Sequence, residues 1–102
     1  MAEVIVSKGA DADLQRLVKF LSEGEAAAAL VTYHHLLGAL EVLRTYPSIG
    51  RPVDDVLGEL VISRGGTGYL ALYEYDARAD RVVILALRHQ REAGYRERGA
   101  TE

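Results

Sequence analysis

At 102 residues, with 49% hydrophobic and 26% charged side chains, the chain has room for one domain around one core, and its composition excludes a long disordered arm. It holds no cysteine, which excludes disulfides and thiolate chemistry and favours a cytoplasmic setting, and its net charge of -3 argues against broad, sequence-independent affinity for nucleic acid. The first residues show no basic region followed by an apolar run, and no segment reads as the roughly 20 apolar residues of a membrane span, so no membrane association is expected.

The chain opens on EVIVS, Glu3 to Ser7, whose β-branched residues predict a short strand that docks on a sheet formed elsewhere. Gly9 and Ala10 break that run, and Asp11 or Asp13 is placed to cap a helix by accepting the free amides of its first turn. Leu14, Leu17, Val18 and Leu21 follow at the spacing of one helical face, and Ser22, Glu23 and Gly24 end it. Glu25 opens a longer helix, in which Leu30, Tyr33, Leu36, Leu37, Leu40 and Leu43 form a broad apolar stripe. So short a link makes the two helices antiparallel neighbours. Pro47 stops the second one, because proline offers no amide donor and disfavours helical backbone before it.

After the turn-rich loop TYPSIGRPVDDVLG, three runs of β-formers lie between Gly58 and Tyr95 and predict an antiparallel meander. In the first, Leu60 and Ile62 share a face with Arg64; in the second, Leu70 and Leu72 oppose Tyr69, Ala71, Tyr73 and Tyr75. In the third, Val82, Ile84 and Ala86 alternate with Val83, Leu85 and Leu87, so both faces are apolar. The helical hairpin covers one face, and the second face calls for a cover of its own, for which a partner chain is suitable. The expected architecture is α+β: an N-terminal strand, an antiparallel helical hairpin, then a three-stranded antiparallel meander packed on the helices. It occupies residues 1–102 as one domain, with a frayed polar tail over 96–102.

Charge concentrates late in the chain. Between Arg88 and Arg98 stand four arginines and His89 against Glu92 and Glu97, whereas the first 45 residues hold four basic and six acidic side chains. In a meander the ends of the first and third strands share one edge of the sheet, roughly 10 Å apart, so Arg64, Arg88 and Arg91 are candidates to converge on one anion. The other reading is that they solvate the sheet margin. His89 and Tyr95 add a base and an acid of the kind that metal-free RNA cleavage requires, although a packed structural histidine accounts for His89 equally well. Tyr69 and Tyr73 are candidates for core packing, partner contacts or base stacking. His34 and His35 point about 100° apart on a helix and lack a ligand at i+4, so no metal is expected, nor any cofactor. The glycines of SRGGTGY join two strands, unlike phosphate-cradling loops, which run from a strand into a helix.

Three motifs, YPSIGRPV from Tyr46, ELVISRGGTGYLALYEYD from Glu59 and LALRHQREAGY from Leu85, stand in an order and spacing that resembles the RelE/ParE superfamily of toxins from type II toxin–antitoxin modules, in particular plasmid stabilisation proteins. The resemblance covers nearly the whole chain. It implies a small sheet packed on a helical hairpin and a cognate antitoxin whose C-terminal segment wraps the toxin, covering the second sheet face. It also implies growth inhibition when the toxin is free. In the RelE-like branch, which cleaves messenger RNA on the ribosome, the matching positions are Arg64, Arg91 and Tyr95, with His89 where another basic residue stands. The ParE-like branch poisons DNA gyrase. The acidic composition and the motif wording place this chain nearer ParE, with Arg64, Arg88, Arg91, Tyr69 and Tyr73 as expected partner contacts, and an acidic antitoxin segment is expected to meet the arginines. A third reading is a toxin-like module that binds an antitoxin without being toxic.

Overall fold

A computed structural model describes residues 1–22, 25–64, 67–92 and 94–95, with the side chains of 21, 22, 63, 64 and 67 outside that description. The tail over 96–102 lies outside the described residues. Strand β1, Glu3–Val6, leads into helices α1, Lys8–Ser22, and α2, Ala26–Leu40, and then into a single-turn α3, Val42–Thr45. Four strands follow: β2 (Arg51–Pro52), β3 (Leu57–Arg64), β4 (Thr67–Asp76) and β5 (Arg81–His89).

They form one mixed sheet in the order β1-β5-β4-β3-β2. The meander is as expected, with β3 antiparallel to β4 and β4 antiparallel to β5. Strand β1 docks parallel to β5, Val4 opposite Val82 and Val6 opposite Ile84. Strand β2 is an addition drawn from the proline loop, pairing Arg51 with Glu59 and Pro52 with Gly58. Proline suits this position, since an edge strand can forgo a donor.

Helix α1 starts earlier than the sequence suggests. Ser7, not an aspartate, caps it, its Oγ accepting the Ala10 amide at 3.1 Å, so that Gly9 and Ala10 lie inside the helix. This frees Asp13, which is 2% exposed, for another purpose: its Oδ2 accepts the Leu87 amide at 2.9 Å. Pairing with β1 ends at Ile84, so beyond it the edge of β5 has no strand neighbour on that side, and the carboxylate takes the place of one.

The core lies between the hairpin and one sheet face. It joins Leu14, Leu17, Leu36, Leu40 and Leu43 of the helices to Leu60, Ile62, Tyr69, Ala71, Tyr73, Val82, Ile84 and Leu87. Leu30, expected in the apolar stripe, is instead 58% exposed. The helical stretch Ala26–Thr45 is 20 residues long and apolar enough to cross a membrane by length and composition, which the sequence reading did not anticipate. Leu36, Leu40 and Leu43 along it are nonetheless buried in this core.

One irregularity controls which side chains share a face. Leu72 pairs with Ala86 but Tyr73 pairs with Ile84, so Leu85 is an extra residue on β5. The resulting bulge inverts the alternation: Val82 and Ile84 point into the core before it, Leu87 after it. The expected grouping of Leu87 with Val83 and Leu85 is therefore broken.

Candidate functional site

The outer sheet face carries an unusual cluster. By register Glu59 of β3 sits on the face opposite the core, in one row with Leu72 and Ala86. It is only 7% exposed, and two groups hydrogen-bond to it. Arg51 donates from Nε at 2.8 Å, and the Tyr95 hydroxyl donates to Oε2 at 2.5 Å. Arg88 of β5 places its guanidinium 5.1 Å from the centre of the Tyr95 ring, and from Nη1 donates to the Glu92 carbonyl at 2.8 Å. The segment after β5 thus returns across the outer face and is fastened there by a carboxylate, a phenol and two arginines. Leu70 and Ala86, on this same face, are buried.

A second fastening ties the segment to the helices. Arg16 of α1 donates to Glu92 Oε2 at 3.0 Å and lies 3.7 Å from Asp13, while the His89 amide donates to Glu92 Oε1 at 2.8 Å. The expected need for a cover on the second face is therefore met in part from within the chain.

Protonation follows from this geometry. Burial opposes ionisation of Glu59, but the hydrogen bonds from Tyr95 and Arg51 and the charges of Arg51 and Arg88 outweigh it and hold the carboxyl below its ordinary range. Burial, followed by the hydrogen bond to Glu59, pushes the Tyr95 hydroxyl well above the usual tyrosine value. A phenol so held keeps its proton and is poorly matched to proton transfer near neutral pH.

The sequence-nominated residues are partly assembled and partly dispersed. Arg88 and Tyr95 meet on the outer face. His89 is on the opposite face, its ring edge-on to Tyr69 at 5.4 Å between centroids, with Nδ1 accepting the Arg91 amide at 3.1 Å. Successive strand residues point to opposite faces, so His89 and Tyr95 do not form an acid–base pair across one site. Arg91 is exposed beyond the end of β5. Arg64 closes β3 opposite Thr67, and its side chain, on which the proposed convergence of arginines depends, lies outside the description.

Tyr69 and Tyr73, expected as partner contacts, are core residues, 3% and 2% exposed. Tyr73 has a structural task, since its hydroxyl accepts the Gly50 amide at 2.9 Å. A Cβ at Gly50 would lie 2.6 Å from that oxygen, which explains a glycine there. Glu59, Arg51 and Glu92 were missed by sequence reasoning. The available signal was a lone carboxylate in the apolar run LGELVI, which marks a charge that must find a partner.

Among the described residues no group of three or more histidine, aspartate or glutamate side chains is placed to hold a metal ion. Comparison with known families decides the class: the model of the ParE toxin of type II toxin–antitoxin systems, parDE, matches residues 4–94. The chain belongs to the ParE toxin family. Membership accounts for the strand, helical hairpin and meander in their observed order, and it implies an antitoxin partner. No individually curated protein matches the chain significantly.

Proposed function

We propose that this ParE-family chain is a cytoplasmic toxin that inhibits growth when free, is neutralised by a cognate antitoxin, and acts by binding a large essential target, with DNA gyrase preferred, rather than by cleaving messenger RNA. The observation that carries the choice of mechanism is the engagement of Tyr95. Its hydroxyl is bound to an ionised Glu59 and its proton is held above the ordinary range, while His89 occupies the other face. Placing a carboxylate between Arg51 and Arg88 also lowers the positive potential that a phosphodiester would need. With few free cations, RNA would be held weakly at physiological salt.

The antitoxin is expected to bring an acidic segment to Arg91 and to Arg88, together with Arg64. Arg91 is the clearest of these contacts, being exposed and making no ion pair among the described residues. High salt is therefore expected to weaken the complex.

The test is induction of this chain alone in a bacterium while DNA and protein synthesis are followed in parallel. An early arrest of DNA synthesis supports the proposal. An early arrest of protein synthesis, lost when Arg91 or Tyr95 is replaced in a folded variant, would establish the RelE-like ribonuclease reading instead. Unchanged growth with folded protein present would leave a binding module that is not toxic.

A further inference from the structure

The opposite end of the sheet has a different chemistry, which the toxin reading does not use. Here the loop between α3 and β3 presents Tyr46, Ile49, Val53 and Val56 to solvent, at 59%, 55%, 52% and 57% exposure. Single exposed apolar residues need no explanation, but four within eleven consecutive positions of one connection do.

The loop is held in shape. Tyr73 fixes the Gly50 amide, the Ile49 amide donates to the Tyr46 carbonyl at 3.1 Å, and the Val53 amide donates to the Leu57 carbonyl at 2.8 Å. Asp54 Oδ1 accepts the Val56 and Leu57 amides at 2.8 and 2.7 Å. The apolar side chains are thus displayed on a preorganised backbone, which lowers the entropy a partner would have to remove on binding. Between the loop and the start of β3 lies a cavity of about 310 Å³, bordered by Pro47, Pro52, Asp55, Val56 and Tyr75.

Charge indicates what would occupy it. Asp54 and Asp55 border the cavity. Asp80 stands in the turn after β4, where it accepts the Tyr75 hydroxyl at 2.9 Å. Of the basic residues nearby, Arg51 is paired with Glu59 and Arg81 with Glu3 at 3.1 Å, which leaves Arg78 among the described residues. A surface both apolar and acidic repels nucleic acid, and it repels its own image across a two-fold axis. We propose that this end is a docking site for an extended, basic segment of another protein, in which lysine or arginine side chains alternate with aliphatic ones. The aliphatic groups would cover Val53 and Val56, and the cations would meet Asp54 and Asp55. The surface lies at the far end of the strands from Arg91, so such a partner would not compete with an acidic segment bound there.

The proposal is tested on the full chain, isotope-labelled, by titrating it with a synthetic peptide alternating leucine and lysine and following the amide resonances. Saturable shifts are expected at Ile49, Val53, Asp55 and Val56. The counterpart peptide carrying glutamate for lysine should leave them unmoved. Replacing Val53 and Val56 by serine together should weaken binding about thirtyfold, since each contact is worth roughly 1 kcal/mol. Asp55→Asn should weaken it less and reduce its salt dependence. All three positions are exposed, and unchanged thermal melting would show that the variants fold. Shifts confined to the end of β5, equal binding of the glutamate peptide, or indifference to the double variant would each overturn the proposal. Concentration-dependent self-association abolished by the double variant would also overturn it, because the occupant would then be a second copy joined head to tail.

Discussion

The two faces of this sheet are closed by different physics. On the inner face the seal is apolar and continuous: Leu60, Ile62, Ala71, Val82, Ile84 and Leu87 pack against leucines of the hairpin. On the outer face the seal is a latch, in which Arg51, Glu59, Tyr95 and Arg88 fasten the end of the described chain. An apolar seal depends on volume and is indifferent to pH, whereas a latch of charges depends on protonation and responds to a single oxygen or proton. The face with the latch also carries Arg88 and Tyr95, two of the residues nominated from the sequence, and the latch engages both.

Four substitutions separate the two seals. The largest effect is expected on the inner face, where Leu87→Ala empties a fully buried site and should cost about 2–5 kcal/mol in urea unfolding at any pH within the folded range. Glu59→Gln should cost less, about 1–3 kcal/mol at neutral pH, because it removes the charge that Arg51 and Arg88 face. Its cost should also depend on pH. The folded-state pKa of Glu59 is lowered, so the parent is stabilised above the ordinary carboxyl value of 4.5 and loses that contribution as pH falls through the folded value. The difference between parent and Glu59→Gln should accordingly shrink in acid. A difference constant from pH 7 to pH 3 would show that the latch is not ionic.

Tyr95→Phe is expected to cost about 1 kcal/mol, since the ring over Arg88 survives while the bond to Glu59 is lost. The folded pKa of Tyr95 is raised, so its contribution is complete below the ordinary tyrosine value of 10.0 and declines as pH rises above it. The parent should lose stability above pH 10 more steeply than Tyr95→Phe, as alkaline unfolding followed by circular dichroism would reveal. The smallest effect belongs to Val61→Ser. Val61 is on the outer face by register but 54% exposed, and the change should stay within about 0.5 kcal/mol. A larger loss would mean that the latch covers more of this face than Glu59 and its neighbours.

How much of this was legible beforehand depends on whether the deciding contact is near in sequence. Leu14, Leu17 and Val18 at helical spacing announced α1, and the alternation of Leu70 and Leu72 against Tyr69, Ala71 and Tyr73 gave the faces of β4 correctly. Helix termini were less legible, since Ser7 and the aspartates compete for one cap and only the demand of the Leu87 amide takes Asp13 out of that contest. The alternation of β5 failed at Leu85 because a bulge is set by pairing with β4, whose register is not written in β5 alone. For the candidate site, Arg88 and Tyr95 were nominated without the partner that holds them. Glu59 lies 36 positions from Tyr95, and no local pattern connects the two.

The amino-acid sequence by itself determined the elements and their order, because periodicity, proline and glycine act over a few residues, and its three spaced motifs carried the resemblance to the toxin superfamily. Tertiary structure alone decided that β1 runs parallel to β5, that the proline loop supplies β2, and that the bulge at Leu85 turns His89 to the core face and Arg88 outward. It alone decided that Tyr95 gives its proton to a hydrogen bond with Glu59. Each of these is a choice of non-local partner, and such choices are made by the register and packing of the whole sheet.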